Sequence, residues 1–147
     1  MNIYNFTLEK LETFLLENGF KKFNASQIFD WVYKKNIDDF SKMTNLNKKL
    51  VSFLSKKFKN DEIKIIEISK SGKTNKFLLE LEDKNYIETV LMEQNYGHSL
   101  CVSTEVGCNM NCVFCESGKL KKVRNLKVYE MVKQIILIEK QYNVRID

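Results

Sequence analysis

The hydrophobic period changes near Asp61, and this change limits the possible fold more than any other feature of the chain. Before it, apolar residues recur every three or four positions, as they do on the faces of amphipathic helices. After it, β-branched residues occur in short runs that are separated by turn residues such as Ser71-Gly72 and Asp83-Lys84-Asn85. We therefore expect an α+β chain, with a helical domain in residues 1–60 and a small antiparallel sheet in residues 61–98.

Three helices are expected in the helical domain. Thr7 should cap a helix that ends before Gly19. Asn24 and Gln27 have the spacing of a capping box, which predicts the start of a second helix. A third helix should follow Asn45, because its apolar positions recur at helical spacing with lysines between them.

The pattern after the sheet is typical of a strand, a loop and a helix. Residues 93–99 are polar and predict a loop, and Leu100 to Thr104 predicts a short buried strand. A cysteine-bearing loop follows, and then a helix from about Lys127 to Gln141. This order is the opening of a βα unit, and a parallel strand needs neighbours on both sides. We therefore expect residues 99–147 to be the incomplete start of a β/α barrel, and the polypeptide to continue.

All four cysteines lie within fifteen residues, and the last three, Cys108, Cys112 and Cys115, have the spacing C-x3-C-x2-C. No run approaches the roughly 18 apolar residues that span a bilayer, and the first ten residues contain no signal-like apolar block. We expect a cytoplasmic protein with no membrane association and with reduced thiols. The cysteines therefore indicate metal binding or catalysis rather than disulfides.

Three thiolates in one short loop can each hold one iron of a [4Fe–4S] cluster and leave the fourth iron without a protein ligand. Two alternatives remain open from spacing alone. Cys101 could join the other three in a four-thiolate zinc site, although structural zinc sites usually use two separated knuckles. The cysteines could also be inert and buried, which is less common for four so close together.

The cysteines belong to a longer ordered pattern, which consists of Gln27 to Val32, Phe40 to Leu46, Ile87 to Met92, Leu100 to Thr104, Gly107-Cys108 and Arg124-Asn125-Leu126. This pattern resembles the RlmN/Cfr family over most of the chain. The family consists of radical-SAM methyltransferases that act on adenine in 23S ribosomal RNA and, in the RlmN branch, also in transfer RNA. The resemblance implies a partial radical-SAM (β/α) barrel and two cofactors, a [4Fe–4S] cluster and S-adenosylmethionine.

The resemblance implies roles for particular residues. Cys108, Cys112 and Cys115 would ligate the cluster, and Phe114 would pack near the adenine of S-adenosylmethionine. Cys101 would resolve a covalent RNA–enzyme adduct.

Glu88 would be the proton acceptor. The methyl-carrying cysteine and the segment that holds the S-adenosylmethionine amino group would lie beyond Asp147. Glu105 stands where the family commonly has Gln, which places an extra acid beside the cluster loop.

The expected reaction is methylation of the C2 carbon of an adenine, in a monomeric enzyme that takes electrons from a donor such as flavodoxin or ferredoxin. The alternatives are methylation at C8 and a zinc-binding RNA-binding module without catalysis. The net charge of +5 suits an RNA partner, although many proteins with this charge bind no nucleic acid. The helical domain offers an RNA-docking surface or only a solvated face through its lysines, namely Lys21, Lys22, Lys34, Lys35, Lys48, Lys49, Lys56 and Lys57.

Overall fold

The computed structural model describes residues 1–59, 62–110 and 119–146, and the chain divides into two compact units, Met1–Asp61 and Glu62–Asp147. The first unit is helical and the second is built on antiparallel sheet. The α+β class expected from the sequence is confirmed. Among the described residues every strand pair is antiparallel, so the expected barrel is not seen in them.

The first unit contains three α-helices, α1 (Leu8–Glu17), α2 (Phe23–Phe29) and α3 (Lys48–Lys57). A π-helical turn, Asp30–Lys34, continues α2 directly. Two 3-10 turns cover Ile3–Asn5 and Phe40–Lys42.

The prediction for α1 is confirmed at both ends. The Thr7 hydroxyl accepts the backbone N–H of Lys10 at 3.3 Å, and Gly19 follows the helix with a φ of +78°. A positive φ suits glycine because it has no Cβ to clash with the backbone.

The capping box predicted for α2 is wrong. The helix begins at Phe23, so Asn24 lies in its first turn rather than before it. The Asn24 carboxamide accepts the backbone N–H of Lys21 and donates to the side chain of Gln27. The residues pair with each other, but the first-turn amides receive no side-chain cap.

The third helix begins later than expected. The Asn47 side chain accepts the backbone N–H of Leu50 at 2.8 Å and caps α3, whereas Asn45 accepts the indole N–H of Trp31 at 2.6 Å. The interior of the unit is apolar, with its fully buried side chains including Leu11, Leu15, Ala25, Ile28, Val32, Leu50 and Leu54.

The second unit opens with a four-stranded meander, β1 (Lys64–Ser71), β2 (Thr74–Glu80), β3 (Tyr86–Gln94) and β4 (Gly97–Cys101), in that spatial order. A two-stranded ribbon follows, formed by β5 (Glu105–Val106) and β6 (Arg124–Asn125), and the unit continues with α4 (Val128–Tyr142). The sheet, the ribbon and α4 share one apolar core, which consists of Phe77, Leu79, Leu81, Ile87, Leu91, Val106, Leu126 and Ile138.

Two predictions between β3 and β5 are wrong. Residues 93–99 are a hairpin rather than a loop, since Glu93 pairs with His98 and Gln94 with Gly97. The strand expected from Leu100 to Thr104 ends at Cys101, which is exposed. Backbone pairing with β3 forms this hairpin, and such pairing is independent of the polar side chains on which the loop prediction rested.

Candidate functional site

The two residues expected to take part in catalysis lie on the same face of the sheet. Cys101 in β4 pairs directly with Val90 in β3, and Glu88 lies two residues before Val90. Residues two apart on a strand, and residues paired across strands, point to the same side. Glu88 and Cys101 are therefore diagonal neighbours on one exposed face, a relation that generally separates Cα atoms by roughly 7–8 Å.

A lysine accompanies Glu88 on this face. The Lys76 Nζ in β2 lies 3.0 Å from the Glu88 Oε1. The hydrogen bond to Glu88 raises the pKa of Lys76 above its ordinary value. Both side chains are about half exposed, so solvent screens the pair and its contribution to stability is small. In the structure the ion pair places the Glu88 carboxylate beside the Lys76 ammonium group.

The segment after Cys101 is held by a side chain from α4. No strand is formed at 102–104, and the backbone N–H and C=O of Ser103 instead pair with the carboxamide of Gln134, each at 2.9 Å. The Gln134 Oε1 also accepts the Thr89 hydroxyl at 2.7 Å. The Ser103 hydroxyl donates to the backbone carbonyl of Glu88 at 2.6 Å. These bonds join the segment to β3 beside Glu88.

The base of the cysteine loop is closed by hydrogen bonds between the segment that enters the loop and the segment that leaves it. Strands β5 and β6 pair through Glu105 with Asn125 and Val106 with Arg124. We call these two strands the neck. Further backbone hydrogen bonds flank the neck. The Leu126 N–H donates to the Thr104 carbonyl on the side of the sheet, and the Val123 and Cys108 N–H groups donate to the carbonyls of Val106 and Leu120 on the side of the loop.

Gly107 permits the close approach of the two sides of the loop. Its φ is +67°, and a Cβ at this position would lie 2.2 Å from the backbone oxygen of Lys121. Any other residue would strain its own backbone and push Lys121 away. The glycine directly before Cys108 is therefore required by geometry.

Cys108 lies directly beyond the neck and is partly exposed. Its sulfur accepts the backbone N–H of Met110 at 3.4 Å. Backbone N–H groups directed at sulfur stabilise thiolate ligands and tune the potentials of iron–sulfur clusters. The environment of Cys108 therefore fits a cluster ligand. Cys112, Phe114 and Cys115 lie outside the described residues.

The extra acid beside this loop is neutralised. The Glu105 carboxylate lies 2.6 Å from the Lys122 Nζ. Hydrogen bonds from Lys122 and, secondarily, from the Cys108 thiol lower the pKa of Glu105. The charge that a glutamate introduces at this position is offset by a lysine on the opposite side of the loop.

Known proteins match nearly the whole length of the chain. Residues 1–59 match the family described as "Ribosomal RNA large subunit methyltransferase N-terminal domain". The chain is 48% identical over 147 residues to the "Probable dual-specificity RNA methyltransferase RlmN" of Acholeplasma laidlawii and 45% identical over 148 residues to that of Malacoplasma penetrans. These matches cover 99% and 97% of the chain.

This chain belongs to the RlmN family. A solved structure agrees: the crystal structure of a radical SAM methyltransferase from Sphaerobacter thermophilus matches 97% of the chain with a TM-score of 0.85 and 34% identity. The chain spans 44% and 42% of the two RlmN relatives and 42% of the solved chain. In the part of the chain that the structure describes, no helix is long and apolar enough to cross a membrane.

The Arg124-Asn125-Leu126 segment of the RlmN pattern anchors the neck. The Arg124 guanidinium binds both carboxylate oxygens of Glu130 at 2.8 Å, and its Nε donates to Asp83 at 2.7 Å. Glu130 is only 2% exposed and also accepts the backbone N–H of Lys127, the residue directly before α4. This network connects the neck, the β2–β3 turn and α4.

For an RlmN-family site, the structure brings together only some of the residues expected from the sequence. Glu88 and Cys101 share a face, and Cys108 follows from the same segment through the neck. Residues 1–59, 62–110 and 119–146 contain no group of three potential metal ligands, since two of the expected ligands fall outside these ranges. Sequence reasoning missed Lys76 and Gln134. One sequence signal could have indicated Gln134: it lies one helical turn before the apolar Ile138, and residues at this spacing share one side of a helix.

Proposed function

We propose that this chain provides the catalytic face and the cluster loop of a radical-SAM enzyme that methylates the C2 carbon of adenine in 23S ribosomal RNA and in transfer RNA. The main support is the identity of 45–48% over 97–99% of the chain with relatives named dual-specificity RNA methyltransferases. The shared face of Glu88 and Cys101 supports it independently, because these residues are thirteen positions apart in the sequence.

Cys108, Cys112 and Cys115 would hold a [4Fe–4S] cluster, and Phe114 would contact the adenine of S-adenosylmethionine. When bound, these cofactors supply the one-electron reductive cleavage that begins radical-SAM chemistry. The partly exposed sulfur of Cys108 and the N–H that it accepts support this assignment. The neck would fix the first ligand relative to the sheet. Electrons would come from a flavodoxin or a ferredoxin.

Glu88 and Cys101 would act on the RNA from the exposed face. The Glu88 carboxylate would accept a proton from the adenine ring, and Lys76 would keep that carboxylate directed along the face. The Cys101 thiolate would attack the sulfur of the second catalytic cysteine, so that a disulfide forms as the carbon–sulfur bond to the RNA breaks and its electron pair leaves with the RNA carbon; for this attack Cys101 must be accessible. Its exposure at the end of β4 supports this role.

Residues 1–60 would form an accessory domain that docks RNA, residues 61–98 a β extension, and residues 99–147 the start of the barrel. The charge distribution supports the docking role. Residues 1–59 contain eleven lysines against six acidic residues, so their excess of five positive charges equals that of the whole chain. A basic surface of this kind attracts the phosphate backbone and makes binding depend on salt. The enzyme would act as a cytoplasmic monomer.

The cluster assignment is tested by anaerobic reconstitution of the complete enzyme with iron and sulfide. The wild type should show the broad visible absorption of an iron–sulfur protein. Replacement of Cys108, Cys112 or Cys115 by alanine should abolish this absorption, whereas Cys101→Ala, the matched control in the same segment, should keep it. Stoichiometric zinc that depends equally on all four cysteines would refute the assignment.

The reaction is tested with 23S ribosomal RNA and transfer RNA as substrates, with nucleoside analysis by mass spectrometry. We expect 2-methyladenosine in both RNAs. The Cys101→Ala enzyme should cleave S-adenosylmethionine but accumulate a protein–RNA crosslink, because only the release step loses its nucleophile. The appearance of 8-methyladenosine would show the other regiochemistry, and normal turnover by Cys101→Ala without a crosslink would contradict the role of Cys101.

A further inference from the structure

Gln134 is an uncharged polar side chain with no exposed surface, in the middle of α4. A carboxamide has two donor hydrogens and two acceptor lone pairs, and a buried one destabilises the fold unless these are satisfied. All four are used here. The oxygen accepts from the Thr89 hydroxyl and the Ser103 N–H, and the nitrogen donates to the carbonyls of Ser103 and Glu130.

The contacts of Gln134 lie where the strand pairing is interrupted. Strand β4 ends at Cys101, and β5 begins at Glu105, so the residues between them belong to neither strand. The carboxamide bonds to both backbone groups of Ser103, as a neighbouring strand would. It thereby fixes the short connection between the thiol of Cys101 and the neck that leads to Cys108.

The same contacts reach the proton acceptor. Thr89 is fully buried and directly follows Glu88 in β3, and the Ser103 hydroxyl donates to the Glu88 carbonyl. One buried carboxamide therefore binds the Thr89 side chain next to Glu88 and the backbone of Ser103 two residues after Cys101. An apolar residue of the same size would fill the space without fixing either contact.

We propose that Gln134 is a positioning residue, which sets Cys101 and Glu88 relative to each other and to the cluster loop. This inference rests on the proposed function of these two residues and extends it to a side chain that touches neither substrate nor cofactor. Gln134 acts through the backbone of Ser103 and through Thr89. Its loss should slow the steps that need Glu88 and Cys101 aligned and leave RNA binding unchanged.

The test uses the complete enzyme with the variant Gln134→Met, which keeps the length of the side chain and removes its hydrogen bonds. Gln141→Met is the matched control, since Gln141 is exposed near the end of the same helix. Hydrogen exchange followed by mass spectrometry should show amides 102–104 exchanging on the order of tenfold faster or more in Gln134→Met, while the amides of β2 are unchanged. The control should match the wild type.

Turnover separates positioning from simple packing. In Gln134→Met, kcat for methylation should fall about tenfold or more and the fraction of crosslinked RNA should rise, while KM for RNA stays the same. Faster local exchange with wild-type kcat and no crosslink would overturn the inference and leave the proposed function standing. A wild-type enzyme that does not methylate RNA would instead refute the proposed function, whatever the exchange shows.

A second variant applies if Gln134→Met exchanges faster throughout the protein. In Gln134→Glu the neutral acid has the size of the carboxamide, keeps an acceptor oxygen and can donate one hydrogen bond. Exchange at 102–104, relative to the wild type at the same pH, should be slowest in acid and should rise as the carboxyl group ionises. A ratio that does not change with pH would overturn the inference.

Discussion

The two units are stabilised by different kinds of interior. The helical unit is packed almost entirely with aliphatic and aromatic side chains, and Phe6, Phe14 and Phe58 contact one another with ring centroids 5.4–5.7 Å apart. Among the described residues, the buried polar side chains of the helical unit are Asn2 and Asn24, whereas those of the sheet unit include the carboxylates of Glu130 and Glu139 and the carboxamide of Gln134. Apolar packing is non-directional, whereas hydrogen bonds and ion pairs fix positions. The unit with the proposed chemistry is therefore the one in which buried hydrogen bonds and ion pairs fix more of the positions.

The largest effect should come from a cavity in the helical unit. Leu54 is completely buried, and Leu54→Ala should lower the free energy of unfolding by about 2–5 kcal/mol. Trp31 is the single tryptophan and lies in this unit, so its fluorescence during urea denaturation measures this unit alone. Leu16→Ala, at an exposed position of α1, is the control and should change little. An equally small change for Leu54 would contradict the packing account.

The next effect should come from the ion network of the sheet unit. Arg124→Met leaves the buried Glu130 carboxylate without its cation, which should cost about 3 kcal/mol. Lys73→Met removes an exposed pair with Glu93 in the same unit and should cost less than about 1 kcal/mol. Hydrogen exchange of β2 and β3 measures the change. Equal costs for the two variants would show that burial of Glu130 adds nothing.

Two glycines with similar backbone angles test the neck. Gly72 and Gly107 have φ values of +57° and +67°, but only Gly107 has backbone within reach of an added Cβ. Gly72→Ala should cost about 1 kcal/mol from backbone strain alone. Gly107→Ala should cost about 1–2 kcal/mol more, because Lys121 must move. Thermal unfolding measures the loss of stability in each variant. Identical losses would mean that Lys121 can move away from the added Cβ without an energetic cost.

The smallest effect should be a dependence on pH. The hydrogen bond from Arg124 lowers the pKa of Asp83 to about 2. A lowered folded-state pKa stabilises the fold above the unfolded pKa of about 4, and this stabilisation is lost as the pH falls through about 2. Asp83→Asn should therefore be less stable than the wild type at neutral pH, by under about 1 kcal/mol because Asp83 is 41% exposed. The difference should vanish in acid, and a constant difference would exclude the ionisation of Asp83 as its cause.

Local signals predicted the helical unit well because its elements are determined locally. Thr7 and Gly19 end α1 through contacts within a few residues. The Asn24 capping box failed because its side chain had a nearby alternative partner in Lys21. The α+β class follows from periodicity alone.

Contacts between distant residues could not be predicted in the same way. The 93–99 hairpin depends on pairing with β3, and Gln134 reaches Ser103 across 31 positions. Apolar periodicity placed the buried side of α4 on Met131, Val132, Ile135, Ile136 and Ile138; Ile136 and Ile138 are buried, whereas the other three are only partly buried. The roles of Glu88 and Cys101 were predicted from a family resemblance. Their position on one face depends on the register between β3 and β4, which the resemblance did not supply.

The neck also affects how much the cysteine loop can vary in length. Val106 in β5 and Leu126, which directly follows β6, belong to the core, so the loop begins and ends at fixed points. The entropy of closing a loop grows slowly with its length, by about 0.6 kcal/mol for each doubling. Insertions between Asn109 and Leu120 should therefore leave the sheet unit folded.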